Sequence, residues 1–488
     1  MYKISVPALT KLRLRGRAMV LLSLCAVSLP ATDVTVHLSS KAGDRIALKA
    51  RIPLQPAASA GPITFRIDDK SSLQRIDGFG ATFLEAGMMC VRALDKPQQD
   101  ALLAALFDPA KGAGFSAMKT TIAGTDFQAA GGWYTYDDTP GDVQMKNFSI
   151  ARDLAPNGLI PFIKAARRYG KFVLQAPMDY PPDWMLVDVE KNQDVDSKYF
   201  DALALYYLRY VQEYEKQGVH IDYVSLFNEP GIYTKIPYTK IRDLLKDHVG
   251  PLFAKAGVKT RLQLSEAPDR LNAVTNYPTV LDDPEARKYV ASAPYHGYGF
   301  KDFEKLAALI KRYPGIPFWM TEICWAYEAG APKNVKLPRY DWEDGDFWAN
   351  QIFGDIEAGA SAWLYWNMIL DENGGPWLTS PIHGNPDPNV QQPVVVVNRR
   401  TKKVDYMAVY YYLAHFSKFV RPGAVRVSMS GSQEKTRALA FRAPDGSIVL
   451  QLLNRRDAPA SVTVAWRDQV LKAELPALSI GTYQWSAN

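Results

Sequence analysis

From about residue 75 onward, short apolar runs alternate with longer stretches in which apolar positions recur at helical spacing. The runs fall at 74–80, 115–122, 171–176, 223–227, 260–264, 289–294, 317–321 and 361–366, and the helical stretches at 97–106, 159–169, 198–216, 238–255, 303–313, 347–357 and 405–418. Runs without polar alternation are buried on both faces, as parallel strands are. Eight of them with helical crossovers predict an α/β fold, a closed (β/α)8 TIM barrel. Asp95-Lys96-Pro97 reads as a helix N-cap with proline in the first turn. Gly170 and Gly218 stand where helices are expected to end.

Outside this region the pattern has a period of two. Segments 34–38, 45–52 and 64–67 alternate, and so do 436–442, 448–453, 461–466 and 481–485, with a hairpin turn at Pro444-Asp445-Gly446. Strand groups this small leave open edges, so the two ends of the chain are expected to join in one all-β sandwich. The expected order is 1–31 as a signal peptide, 32–74 as N-terminal sandwich strands, 75–418 as the barrel and 419–488 as the remaining sandwich strands.

The signal peptide rests on the basic cluster Lys11, Arg13, Arg15 and Arg17, followed by the apolar run 18–31. It implies a secreted or periplasmic protein. The run is too short for a stable membrane span. A lipid-anchored form through Cys25 stays open, although Leu24 is a poor residue before it. At 47% hydrophobic and 22% charged, the 488 residues are globular in composition. The charge of +6 is spread thinly and no aromatic RNA motif occurs, which argues against a nucleic-acid partner. Cys90 and Cys324 are expected as buried thiols. The six histidines form no metal-type pair, and Walker A, GxGxxG and GxSxG motifs are missing. Neither a metal nor a cofactor is expected, and the oligomeric state is left open.

Two of the apolar runs end in a carboxylate: Tyr223-Val-Ser-Leu-Phe-Asn228-Glu229-Pro230 and Phe318-Trp-Met-Thr321-Glu322-Ile323. In a barrel, both would open at the C-terminal face, where active sites are built. Two carboxyls converging there at about 5–5.5 Å are the minimum for retaining glycoside hydrolysis. The plainer alternative is a pair of surface carboxylates at strand ends. Tyr298 is a candidate hydrogen-bond donor to Glu322, or a buried structural tyrosine. The insert 124–157, with Trp133 and Tyr136, is expected to hang over the same face.

Further strings occur in a fixed order: Ile76-Asp-Gly-Phe-Gly-Ala81, Thr125-Asp126-Phe127, Tyr134-Thr-Tyr-Asp-Asp-Thr-Pro140, Lys146-Asn-Phe-Ser149, Phe227-Asn-Glu-Pro230, His296, Thr321-Glu322, Trp366-Asn367, Gly374-Gly-Pro376 and Leu413-Ala-His-Phe-Ser-Lys-Phe419. Together they resemble glycoside hydrolase family 30 of the glucosylceramidase type. The resemblance implies a barrel with an attached sandwich, net retention and no cofactor. It makes Glu229 the acid/base, Glu322 the nucleophile and Asn228 a donor to the sugar 2-hydroxyl. It sets Asp126, His296 and Trp366 in the substrate pocket, with Lys119 where the family usually carries arginine. The plainer readings are a loop-turn residue for Asp126 and a core aromatic at a strand end for Trp366. Met178 and Gly297 replace family aromatics, so a roomier and less discriminating sugar site is expected.

The implied substrate is a β-linked oligosaccharide, glycoside or glycolipid. Aromatics at 131–136, 325–327, 340–342 and Trp377 would wall one end of the site and favour exo action on a glucosyl, fucosyl, galactosyl or xylosyl unit. An endo-β-1,6-glucanase or xylanase is the alternative, and an inactive carbohydrate-binding protein is the reading outside enzymes. The C-terminal strands are expected to be a structural appendage, not an independent carbohydrate-binding module.

Overall fold

The computed structural model describes Met1 and residues 33–59, 61–125, 128–129, 134–189, 194–232, 234–325, 341–376 and 390–487. The expected signal segment, Asp126, Trp133, Tyr327, Tyr340 and Trp377 lie outside the described residues. Eight parallel strands close into a barrel: Gly78–Thr82, Ala117–Lys119, Val173–Pro177, Tyr223–Ser225, Arg261–Gln263, Val290–Tyr298, Phe318–Glu322 and Ala362–Asn367. Closure is made by the eighth strand on the first (Ala362 opposite Gly78), and the ring continues through the fifth and sixth (Leu262 opposite Val290). All eight match predicted runs to within a few residues.

The barrel floor is a small apolar plug of Ala117, Val173, Tyr223, Ala291, Trp319, Ala362 and Leu364. Side chains two residues further along a strand point to the same side. Lys119, Ser225, Thr321 and Trp366 therefore stand one layer above the plug, and the polar layer of the barrel begins there.

Asp95 caps its helix as expected, accepting from the Gln98 backbone while Gln98 returns a bond to the Asp95 N–H. Gly218 takes the left-handed conformation just past the helix Phe200–Lys216. Gly170 does not end its helix, which stops at Ala166. A Cβ there would lie 2.1 Å from the Phe107 carbonyl oxygen, so close approach of the chain is what requires glycine. The helix Glu85–Arg92 was not anticipated.

Besides the barrel and a small sheet of Ile369–Asp371, Val395–Val397 and Val404–Tyr406, the described residues form one continuous ten-stranded sheet folded over an apolar core. Its order is Ala47–Pro53, Asp33–Ser40, Ser479–Trp485, Ile448–Asn454, Thr436–Arg442, Val425–Gly431, Phe65–Arg75, Ala460–Trp466, Gln469–Leu475 and Gln55–Pro56. The strand Ile448–Asn454 is buried throughout. Ile448, Leu450 and Leu452 face the sandwich interior, while Val449 and Leu453 join the barrel core. The helix Ala408–Phe419 fastens the two bodies: buried His415 contacts Thr482 Oγ1 at 2.7 Å and Ser39 Oγ at 2.9 Å. Burial pushes the His415 pKa down to about 3, so the ring is neutral there.

The described part of the insert after the second strand packs into the core. Tyr134 (3.0 Å), Tyr136 and Tyr214 (2.5 Å) all donate to the buried Asp153 carboxylate. Tyr136 also stacks on Tyr206 and Tyr210 of the helix Phe200–Lys216. Burial pushes Asp153 up to about 6 despite these three donors.

The long strand Phe65–Arg75 sits between Val425–Gly431 and Ala460–Trp466. A fragment of residues 419–488 lacks that strand and also Asp33–Ser40, which splits the sheet and leaves Val425–Gly431, Ala460–Trp466 and Ser479–Trp485 each without one neighbour. We expect it to be unfolded or insoluble by circular dichroism and NMR. A folded monomeric fragment would show that the C-terminal strands are self-sufficient.

Candidate active site

The polar layer above the plug contains five ionisable groups from five strand ends. Lys119 ends the second strand, Glu229 follows the fourth, Glu266 the fifth, His296 lies near the end of the sixth, and Glu322 ends the seventh. Lys119 Nζ has three protons and three acceptors: Asn228 Oδ1 at 3.1 Å, Glu266 Oε2 at 2.8 Å and Glu322 Oε2 at 2.7 Å. It also stands 5.0 Å from the centre of the Trp366 ring. A compact ammonium fits three converging oxygens better than a planar fork would.

His296 spans the carboxylates on the other side. Its Nδ1 lies 2.7 Å from Glu229 Oε1 and its Nε2 2.9 Å from Glu266 Oε2, with Glu322 Oε2 at 3.6 Å. Tyr298 donates to Glu322 Oε1 at 3.1 Å, the role anticipated for it. Among the described residues, Glu229, His296 and Glu322 have donor atoms within 4.8 Å of one another. Both ring nitrogens of His296 are already engaged by carboxylates, which makes the group a proton network rather than a metal cage.

Backbone geometry aims the two carboxyls. Glu229 lies in the left-handed region at φ 45°, a strained conformation for a residue with a side chain. Its N–H bonds to the Glu266 carbonyl at 2.9 Å, and its own carbonyl accepts from Ile232 at 3.0 Å. The Glu266 N–H in turn bonds to the Phe227 carbonyl at 2.8 Å. The turn at Pro230-Gly231 thus swings the Glu229 side chain inward, onto His296.

The charges follow from this arrangement. Burial alone would lower the His296 pKa, but the Glu322 charge and the bonds to Glu229 and Glu266 prevail and push it up to about 9. Burial would raise Glu266, yet Lys119 and His296 hold it down at about 2. Lys119 is likewise kept charged against its burial by Glu266 and Glu322. Glu229 is the carboxyl raised above its ordinary value: burial lifts it, opposed by the His296 bond and helped by the Glu322 charge.

Exposure sorts the expected site residues. Glu229 and Glu322 each keep 6% of their surface open, Asn228 2% and Trp366 3%, whereas Lys119, Glu266 and His296 have none. Lys119 and His296, expected as substrate-binding residues, instead lie beneath the carboxylates and hold them. Glu266 was missed altogether. Met178 is fully buried and opens no pocket surface. A Cβ on Gly297 would lie 2.6 Å from Ile323 and 3.2 Å from both Arg270 and Met320. The space of the missing aromatic is filled by protein, so the roomier sugar site expected from these replacements does not arise from Met178 or Gly297.

The described aromatics expected to wall the site also sit elsewhere. Trp325 packs on Phe347 and Phe300 and donates to Asp344 at 2.5 Å. Trp342 donates to the Leu478 carbonyl at 2.8 Å, at the sandwich junction. Cys90 and Cys324 are both buried, as expected.

Residues 76–420 match the glycosyl hydrolase family 30 TIM-barrel domain, and residues 423–483 match the family's beta sandwich domain. An endo-1,6-beta-D-glucanase of Neurospora crassa is 30% identical over 424 residues, covering 82% of this chain and 83% of that protein. The lysosomal acid glucosylceramidase of Mus musculus is 27% identical over 490 residues, covering 95% and 91%. A solved endo-beta1,6-glucanase superposes with a TM-score of 0.80 at 22% identity, over 94% of this chain and 100% of that one, which speaks to the fold alone.

The charged network has a signature in stability. The folded His296 pKa of about 9 exceeds its ordinary 6.5. Its stabilisation is therefore complete below about pH 6.5 and is lost as the pH rises through 9. Glu266 acts in the other window: its contribution is present above the usual carboxyl value of 4.5 and is lost as the pH falls towards 2. In thermal unfolding, the decline of the midpoint between pH 6.5 and 9 is expected to be shallower in His296→Gln than in the native chain. Equal slopes would show that His296 is not charged in the folded state.

Proposed function

From the membership of this chain in glycosyl hydrolase family 30, we infer that it hydrolyses β-glucosidic bonds with net retention, using Glu322 as nucleophile and Glu229 as acid/base. The observation that carries the reading is the asymmetry of two carboxyls whose oxygens lie within 4.8 Å. Glu322 receives an ammonium and a phenol hydroxyl, while Glu229 lies in surroundings that favour its protonated form. The proximity suits double displacement and leaves no room for the water that an inverting enzyme positions between its carboxyls.

In the first step, Glu322 Oε attacks the anomeric carbon and the bond to the leaving oxygen breaks. That oxygen takes the proton of Glu229, which becomes a carboxylate, while Glu322 becomes a neutral ester. In the second step, Glu229 takes a proton from water as the water oxygen bonds to the anomeric carbon. As that bond forms, the ester C–O bond breaks and its electron pair returns to Glu322. Asn228 gives its amide oxygen to Lys119, which leaves its NH2 to donate to a sugar hydroxyl. Trp366, at the end of the eighth strand, offers a ring for the sugar face.

Glucose is proposed as the cleaved unit because the named relatives, a glucosylceramidase and a 1,6-beta-glucanase, share it. Exo action loses the support expected from Trp325 and Trp342, which are occupied in the core. An endo-acting β-1,6-glucanase is therefore the second reading, favoured by the 30% identical Neurospora enzyme. Export from the cytoplasm is proposed on the leader-like pattern of residues 1–31.

A panel of aryl β-glycosides, β-1,6-glucan and xylan, with products sized, tests the substrate. Glucose released one unit at a time supports exo action, and a ladder of oligosaccharides supports endo action. Turnover of xylan alone contradicts a glucosyl site.

Substitution tests the two roles. Glu322→Ala should abolish turnover, with azide restoring part of it as an α-glycosyl azide. Glu229→Ala should cost about 10²–10⁴-fold on substrates with poor leaving groups, much less on activated aryl glycosides, and give the β-azide. The opposite stereochemistry would exchange the roles.

A further inference from the structure

Glu266 belongs to the cluster, yet the hydrolytic scheme gives it no step. It is fully buried and cannot touch a sugar. One of its oxygens, Oε2, takes all its hydrogen bonds: Lys119 at 2.8 Å, His296 at 2.9 Å and Thr321 at 2.8 Å. Oε1 has no hydrogen-bond partner among the described residues. A carboxylate used so one-sidedly is directed at the two cations of the site. An ion left unpaired in such a setting carries a large desolvation cost.

We propose that Glu266 is a positioning residue of the hydrolytic reaction: its fixed negative charge keeps the cluster of Lys119, His296, Glu229, Glu266 and Glu322 electrically neutral in both halves of the cycle, and so keeps the proton on Glu229 until the leaving group takes it. The proposal rests on the roles given above to Glu229 and Glu322.

On the roles proposed above, Lys119 and His296 are positive in the free enzyme, Glu266 and the nucleophile Glu322 negative, and Glu229, raised by its burial, carries the proton. The charges cancel. In the glycosyl-enzyme, Glu322 is a neutral ester and Glu229 has given up its proton, so Glu229 and Glu266 now balance the same two cations. They cancel again. Without Glu266 both states carry one uncompensated positive charge, which favours loss of a proton from Glu229 or from His296.

The groups around Glu266 leave it no substitute. Lys119 faces it from the second strand, Asn228 and Glu229 from the fourth, His296 from the sixth, and Thr321 and Glu322 from the seventh. The buried Tyr277 phenol lies within its field. Glu229 and Glu322, the other carboxyls facing His296, are the two whose charge changes during the reaction. Glu266 is left as the constant anion.

The test is the alkaline limb of kcat/KM against pH, measured on the best substrate of the panel for the native enzyme, Glu266→Gln, Lys119→Met and the double variant. Thermal midpoints establish that each is folded. Activity is expected to fall in all three variants, and the position of the limb is the readout. Glu266→Gln should move it down by roughly one pH unit and Lys119→Met should move it up, since each removes a charge close to the acid. The double variant should return to near the native value. Glu266→Gln should also lose more on an alkyl glycoside than on a dinitrophenyl glycoside, because only the former needs the proton.

Uniform loss at every pH with the limb unmoved would overturn the proposal, and so would a double variant displaced further than Glu266→Gln. Should Glu266→Gln not fold, Lys119→Met decides: an upward limb supports the proposal, and an unmoved or lowered one overturns it. An error in the roles of Glu229 and Glu322 would show separately, as inverted azide stereochemistry with these shifts intact.

Discussion

The Lys119 ammonium, shared among Asn228, Glu266 and Glu322, is the contact on which the rest of the site depends. A fully buried cation is tolerated only when charge and hydrogen bonds surround it. Here they come from the ends of three different strands, so the barrel must close correctly before the ion is satisfied. His296 makes the complementary connection to Glu229 and Glu266. Two cations and three carboxyls then leave room for one proton, and burial together with the Glu322 charge raises Glu229 towards holding it. On the proposed roles, the pairing that makes burial tolerable also separates acid from nucleophile, and this separation is what retention requires.

The remainder of the molecule secures those strand ends. An apolar plug fills the barrel floor and holds the second, fourth, seventh and eighth strands at a level where the next inward residue is polar. On the outside, the helix Ala408–Phe419 is pinned to the sandwich through neutral His415, Thr482 and Ser39. The N-terminal strand Phe65–Arg75 runs from the sandwich directly to the first barrel strand at Gly78. The sandwich is therefore stitched into the barrel at both ends of the chain and acts as its brace.

Much of this was legible in the sequence because parallel strands buried on both faces leave uninterrupted apolar runs. Tyr223–Phe227 and Phe318–Thr321 are such runs, and their terminal glutamates could be assigned to the catalytic face without coordinates. Glu266 follows the fifth run in the same way. That run, Arg261-Leu-Gln-Leu264, is short and half polar, so the carboxylate two residues beyond it gave no comparable signal. Aromatics misled for the opposite reason. Trp325, Trp342, Tyr134 and Tyr136 lie in segments that read as loops, and composition does not tell a ring facing a ligand from one packed on a neighbour. Gly297 misled similarly: a small residue in place of a large one suggests empty space, but Ile323, Arg270 and Met320 fill it.

The central claim is a particular distribution of protons, and neutron diffraction on crystals of the deuterated enzyme near neutral pH would observe it directly. The account predicts a deuteron on the Glu229 carboxyl, one on each ring nitrogen of His296, three on Lys119, and none on Glu266 or Glu322. A deuteron on Glu322 or Glu266, or a His296 ring carrying only one, would contradict it.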